Sequence, residues 1–143
     1  MGNDVKYSRP ASGSTLYPML VRDGAVTVVR RGLPFSAVDD VAATLGLGRL
    51  ALAEVIGLPS TTLARRRKAG TLTADESDRL VRVARLVSLA HEMMLGNDHA
   101  ARRWLKDPHE LFEGESPLER AATEVGGREV EQLIGRLRDG IFS

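Results

Sequence analysis

The chain has 143 residues, a formal net charge of +1, and 43% hydrophobic and 27% charged residues, which is typical of a globular protein with one or two small domains. Its 19 leucines and 16 alanines, against 3 isoleucines and 6 aromatic residues, favour helices and predict an all-α fold. The absence of cysteine excludes disulfides and thiolate metal sites, and the lack of a long apolar run or a secretory signal predicts a cytoplasmic protein with no membrane partner.

The N-terminal segment shows no helical periodicity. Residues 1–15 contain Gly, Ser, Asn and Pro without any pattern, which favours a flexible tail. Between Leu16 and Gly32, the turn signal Arg22-Asp23-Gly24 separates short apolar runs, and the second run is rich in valine. This part of the chain therefore indicates a possible short strand or hairpin.

From residue 36 onward the sequence predicts a series of helices that begin at capping residues and end at glycine or proline. The predicted helices span residues 36–45, 49–56, 60–68, 75–95, 98–106, 116–126 and 128–138. The expected caps at their starts are Ser36 with Asp39, Ser60, Thr73 with Glu76, and Ser116 with Glu119. The expected ends include Gly46, Gly57, Gly96, Gly126-Gly127 and Gly140.

The two short helices around Gly57 have the spacing of a helix-turn-helix. Gly57 supplies the turn, the small Ala53 lets the two helices touch, and Leu63 lies inside the second helix. Apolar residues that would pack the angle between the helices are Leu52, Ile56 and Leu58. Arg66 stands where such motifs often have an apolar residue, so the match is not complete.

The outer side of the second helix carries residue types that bind DNA. Arginine donates two hydrogen bonds to guanine, while hydroxyl groups and lysine reach phosphates. The predicted DNA contacts are Ser60, Thr61, Thr62, Arg65, Arg66, Arg67 and Lys68. The alternative is a solvated basic helix end that complements the helix dipole. Because one such motif binds weakly and two half-sites are usually read together, we also expect a homodimer.

The chain lacks the sequence patterns of enzymes and metalloproteins. His91, His99 and His109 are not spaced as ligands on one helix face, and no phosphate-binding loop or nucleophile elbow occurs. The acidic residues are scattered over helix starts, where carboxylates stabilise the dipole. We therefore expect no enzymatic activity, no metal and no cofactor.

The C-terminal end of the chain is apolar. The sequence ends on Ile141-Phe142-Ser143, and an apolar terminus either docks on the protein's own core or inserts into a partner. Trp104, the only tryptophan, can likewise be a core anchor or an interface residue. The residues alone leave both alternatives open.

Two blocks of the sequence, in this order, resemble the Xre/MbcA/ParS antitoxins over roughly residues 32–143. The upstream block comprises Gly32-Leu33, Thr62-Leu63-Ala64-Arg65-Arg66, Leu72, Glu76-Ser77-Asp78-Arg79-Leu80, Arg82 and Ala84-Arg85. The downstream block resembles the family's toxin-binding domain and comprises Trp104-Leu105, Pro108, Leu111, Gly114, Ser116-Pro117-Leu118, Thr123-Glu124, Gly126, Val130, Leu133, Ile134-Gly135-Arg136-Leu137 and Gly140-Ile141-Phe142.

The resemblance implies a type II antitoxin that silences a RES-domain toxin, an enzyme that consumes NAD, and represses its own operon by binding operator DNA. It implies a DNA-binding and dimerisation region over residues 32–95 and a toxin-binding domain over residues 96–143, and it leaves residues 1–31 unassigned. A homodimer inside a larger hetero-oligomer with the toxin is expected.

In this family the C-terminal helix and tail lie at the entrance of the toxin's active site. The residues that this implies for toxin binding are Arg136, Leu137, Gly140, Ile141, Phe142 and Ser143. Trp104, Leu105, Pro108 and Pro117 would brace that element as a scaffold. The alternative is a free-standing helix-turn-helix regulator whose C-terminal domain binds a ligand or dimerises.

Overall fold

The computed structural model describes residues 16–140, which form nine α-helices and one short 3-10 helix. The first five helices are α1 Leu16–Asp23, α2 Ala25–Arg31, α3 Ser36–Leu45, α4 Arg49–Val55 and α5 Ser60–Ala69. The remainder are α6 Ala74–Met93, α7 Asp98–Lys106, the 3-10 helix Glu110–Phe112, α8 Pro117–Arg120 and α9 Glu124–Asp139. The all-α prediction is confirmed, and no helix within this part of the chain is long and apolar enough to cross a bilayer.

The long helix α6 organises the core. Helices α2 and α3 pack against it from the N-terminal part of the chain, and α7 and α9 pack against it from the C-terminal part. Its buried residues lie on more than one face: Leu80, Val83, Ala84, Leu86, Val87 and Ala90. Burying both sides of one helix joins the two halves of the described chain into a single apolar core.

The possible hairpin over Leu16–Gly32 is wrong, because this segment forms α1 and α2 with Gly24 between them. Leu16 and Leu20, one helical turn apart, are buried on α1. The valine-rich run forms a helix that packs on α6, so tertiary burial outweighs the β-propensity of valine. The tail predicted for residues 1–15 lies outside the described residues.

The capping boxes at Thr73–Glu76 and Ser116–Glu119 are confirmed, with both reciprocal hydrogen bonds present. The caps at Ser36 and Ser60 are wrong. Each of these serines is the first residue of its helix, and neither α3 nor α5 has a side-chain cap.

The break predicted at Gly126-Gly127 is also wrong, because both glycines lie in the first turns of α9, which begins at Glu124 after the Thr123 cap. A Cβ on Gly126 would lie 1.8 Å from the Arg120 carbonyl oxygen. Glycine is needed here so that α8 and α9 can approach closely, and not to end a helix.

A short antiparallel bridge between Pro34 and Thr71 fixes the end of α5 against the start of α3. The Phe35 N–H donates to the Gly70 carbonyl at 2.9 Å, and the Leu72 N–H donates to the Leu33 carbonyl at 2.9 Å. The linker after α5 is thereby tied to the start of α3.

Candidate functional site

Helices α4 and α5 form the predicted helix-turn-helix. Gly57 has a φ of 68°, the left-handed conformation that glycine adopts without strain. The Leu58 N–H donates to the Ala53 carbonyl at 2.7 Å, which closes the end of α4. Leu63 of α5 is buried, as expected of an apolar residue inside the second helix of the motif.

The turn is also held by Arg79 of α6, a residue to which the spacing of the motif assigns no role. Its Nη1 donates to the carbonyl of Ile56 at 2.8 Å and to that of Gly57 at 3.4 Å. Asp75, one turn earlier, accepts from Nη2 of Arg79 at 3.4 Å. A charged donor satisfies the carbonyls that the end of α4 would otherwise leave free, so α6 helps to fix the angle of the motif.

Most of α5 faces solvent. Leu63 is its one buried residue, and Thr62 and Arg66 are half-buried. The remaining predicted DNA contacts are exposed: Ser60, Thr61, Arg65, Arg67 and Lys68. The helix therefore presents hydroxyl and cationic groups to solvent, which are the residue types that contact phosphates and base edges.

Arg66 differs from the other predicted DNA contacts because it is engaged inside the protein. Its Nε donates to the Glu76 carboxylate at 2.7 Å, and the side chains are 23% and 7% exposed. Burial opposes ionisation of Glu76, but hydrogen bonds from Arg66 and from the Thr73 N–H outweigh it and lower the pKa of this carboxyl. Arg66 thus joins α5 to the start of α6.

A groove of about 820 Å³ lies between α4 and α5. Leu50, Ala51 and Ala64 contribute apolar surface to it, and Arg67 and Lys68 contribute positive charge. Combined apolar and cationic lining suits a sugar-phosphate backbone.

The predicted scaffold residues of the C-terminal part occupy three different environments. Leu105 and Pro117 are buried, Trp104 is half-buried with its ring centroid 5.9 Å from that of His109 in an edge-on arrangement, and Pro108 is exposed. Trp104 is thus partly a core residue.

Helix α9 is fixed to α8 and α6 by ion pairs and ends at an exposed turn. Arg120 pairs with Glu129 at 3.0 Å, and Arg85 pairs with Glu131 at 2.8 Å. Gly140 closes the helix with a φ of 69°, as predicted.

The predicted toxin-binding residues are brought together at this end of α9 as far as the structure describes them. Arg136 is exposed and takes part in no ion pair within residues 16–140, while Leu137 packs partly against the core. Ile141, Phe142 and Ser143 lie outside the described residues. Between residues 16 and 140 there is no cluster of three or more histidine or acidic side chains suited to a metal ion.

Comparison with known proteins assigns each part of the chain to a family domain. Residues 24–85 match the antitoxin Xre-like helix-turn-helix domain, and residues 90–140 match the antitoxin Xre/MbcA/ParS C-terminal toxin-binding domain. Antitoxin Xre of Yersinia enterocolitica is 31% identical over 119 residues, which are 82% of this chain and 80% of the relative. Antitoxin Xre of Photorhabdus laumondii is 31% identical over 117 residues, or 81% of this chain and 79% of the relative.

A third relative, Antitoxin Xre of Pseudomonas putida, is 37% identical over 84 residues, which are 58% of this chain and 52% of the relative. A toxin-binding domain after the helix-turn-helix favours an antitoxin over a free-standing regulator and fits a non-enzymatic role. The two domains of this chain imply that its partners are a toxin and DNA. The chain belongs to the Xre family of antitoxins, with a helix-turn-helix domain followed by an Xre/MbcA/ParS toxin-binding domain.

Proposed function

We propose that this antitoxin inhibits a RES-domain, NAD-consuming toxin by covering its active site with the end of α9 and the residues that follow it. The observation that carries the proposal is the exposed cation Arg136, one turn before an exposed helix end that leads to Ile141 and Phe142. A guanidinium with no ion pair among residues 16–140 suits acidic groups of the toxin or the position of the cofactor's phosphates, and an aromatic ring suits an apolar pocket.

The same protein represses its own operon as a homodimer in this proposal. The support is α5, whose exposed hydroxyl and basic residues suit one DNA half-site. Two copies would bring two such helices to a two-fold symmetric operator, within a larger complex that also holds the toxin.

The experiment is to co-express the chain with the adjacent reading frame, purify the complex and measure NAD consumption. Full-length antitoxin should copurify with the toxin and suppress turnover, whereas deletion of residues 139–143 should restore NAD consumption. Operator binding should persist, because the deletion leaves Leu133 and Ile134 to hold α9 in the core.

Phe142→Ala is the milder variant of the deletion. It should weaken the complex by about 1–3 kcal/mol if the ring fills a pocket on the toxin. A truncated protein that still protects cells fully would refute the covering mechanism, and one that unfolds would mean that the tail docks on its own core.

A further inference from the structure

Helix α6 ends in an unusual way. The Gly96 N–H donates to the His91 carbonyl at 2.9 Å and the Leu95 N–H donates to the Glu92 carbonyl at 3.0 Å, the hydrogen-bond pattern of a Schellman motif. The left-handed position of this motif is held by Leu95, with a φ of 55°. A bulky residue is rare there, because its Cβ crowds the backbone.

Two other helices of the same chain end with the same pattern but use glycine. At the end of α3 the left-handed residue is Gly46, followed by the half-buried Leu47, and at the end of α4 it is Gly57, followed by the buried Leu58. At the end of α6 the leucine precedes the glycine, so Leu95 and Gly96 stand in the reverse order. Leu95 takes the strained position and is 94% exposed, so burial of its side chain does not compensate for the unfavourable conformation.

The end of α6 that carries the exposed leucine is joined to the end of α9. Glu92, whose carbonyl accepts from Leu95, also accepts from Arg138 Nη1 through its carboxylate at 3.2 Å. The last turns of α6 and α9 are therefore joined, and Leu95 follows α6 three residues after the glutamate that joins them. Met94 and Leu137, at the ends of the same two helices, are half-buried and pack against the core, unlike Leu95.

We propose that Leu95 forms an exposed apolar patch that binds the toxin as an anchor, separate from the residues after Gly140. The toxin is the occupant because Leu95 falls inside the stretch that matches the toxin-binding domain and because it follows the helix end that Arg138 joins to α9. This inference rests on the proposed function in one respect, namely that the toxin binds at the end of α9. A strained residue at a binding surface, with its side chain held out to solvent, is pre-organised to enter a pocket.

The test uses the full-length antitoxin and the toxin encoded beside it, carrying an inactivating substitution. Leu95→Gly removes the anchor and supplies the residue that the backbone prefers, so the melting temperature should be unchanged or higher while the Kd for toxin rises by at least about 10-fold, as for a hot-spot residue. Leu95→Asn, which tolerates a left-handed conformation, should show the same loss of affinity.

Two matched controls separate the causes. Glu113 also has a φ of 55°, so Glu113→Gly relieves the same backbone conformation without removing an apolar side chain, and it should leave the Kd unchanged. Leu111→Asn removes an apolar side chain that is 62% exposed elsewhere in the domain, and it should also leave the Kd unchanged.

Folded Leu95 variants that bind toxin as tightly as the unchanged protein would overturn the proposal. A variant that instead alters the oligomeric state without toxin would also overturn it, because a second copy would then cover the patch. The covering mechanism is judged separately, by NAD turnover after deletion of residues 139–143. Affinity lost at Leu95 with inhibition unaffected by that deletion would leave the anchor standing and the covering mechanism refuted.

Discussion

At the scale of single residues, the turn of the helix-turn-helix depends on Gly57 and Arg79, and only Gly57 could be predicted from the sequence. Gly57 is visible in the sequence, because a turn glycine has a fixed distance from Ala53 and Leu63. Arg79 is 22 residues away from Gly57, and helical periodicity places it on a face without indicating which carbonyl it meets. Contacts of that kind depend on tertiary packing, so they could not be predicted from spacing.

Gly57→Val is expected to destabilise the protein by about 1 kcal/mol or more, because a β-branched residue is strained at positive φ. The new Cβ would also lie 3.2 Å from Arg79 Nη1, which closes the turn. The free energy of unfolding from urea titration measures the loss. Gly48→Val is the matched control, since Gly48 has an extended backbone and open space around it. Equal losses at the two glycines would contradict a special role for the turn.

At the scale of helices, prediction succeeded where the signal is local and failed where burial decides. Thr73 and Ser116 start helices through hydrogen bonds to residues three positions on, which the sequence displays directly. Helices α1 and α2 form because α3 and α6 cover their apolar sides, and a short valine-rich run cannot show this. The same holds for Gly126, where glycine is required by the nearby Arg120 carbonyl and not by the end of a helix.

The structure divides the basic residues of α5 into two groups with different expected effects. Replacing Arg65, Arg67 and Lys68 together by Ala should weaken operator binding, and each lost phosphate contact should reduce the slope of log K against log salt by about 0.9. The measurement is fluorescence anisotropy of operator DNA over a salt series. The fold should survive, because these three side chains are exposed.

Arg66→Ala, a substitution in the same helix, is compared with the triple replacement. Because Arg66 pairs with the buried Glu76, its replacement should lower the melting temperature more than the triple replacement does. An unchanged salt slope in the triple variant would contradict the role of α5 and move the DNA surface elsewhere, with the exposed Arg30 and Arg31 as the next candidates.

At the scale of the whole molecule, the two family domains meet on one helix. The match to the helix-turn-helix domain ends at residue 85 and the match to the toxin-binding domain begins at residue 90, both inside α6. Helices α2 and α3 of the first domain and helices α7 and α9 of the second domain all pack against α6. Because they share this helix, neither domain can bury its apolar surface alone. Toxin binding and DNA binding therefore share one folded core.

A destabilising change in the helix-turn-helix should consequently unfold the toxin-binding part as well. Leu52 is fully buried on α4, and Leu52→Ala should cost about 2–5 kcal/mol through the cavity it leaves. Trp104, the only tryptophan, reports on α7 by fluorescence, and its denaturation midpoint should shift together with the midpoint of the circular dichroism signal of all helices. Leu50→Ala, at an exposed position of the same helix, should shift neither midpoint appreciably. If the midpoint of Trp104 fluorescence does not move and the circular dichroism signal is lost in two steps, the domains fold independently. The shared role of α6 would then be wrong.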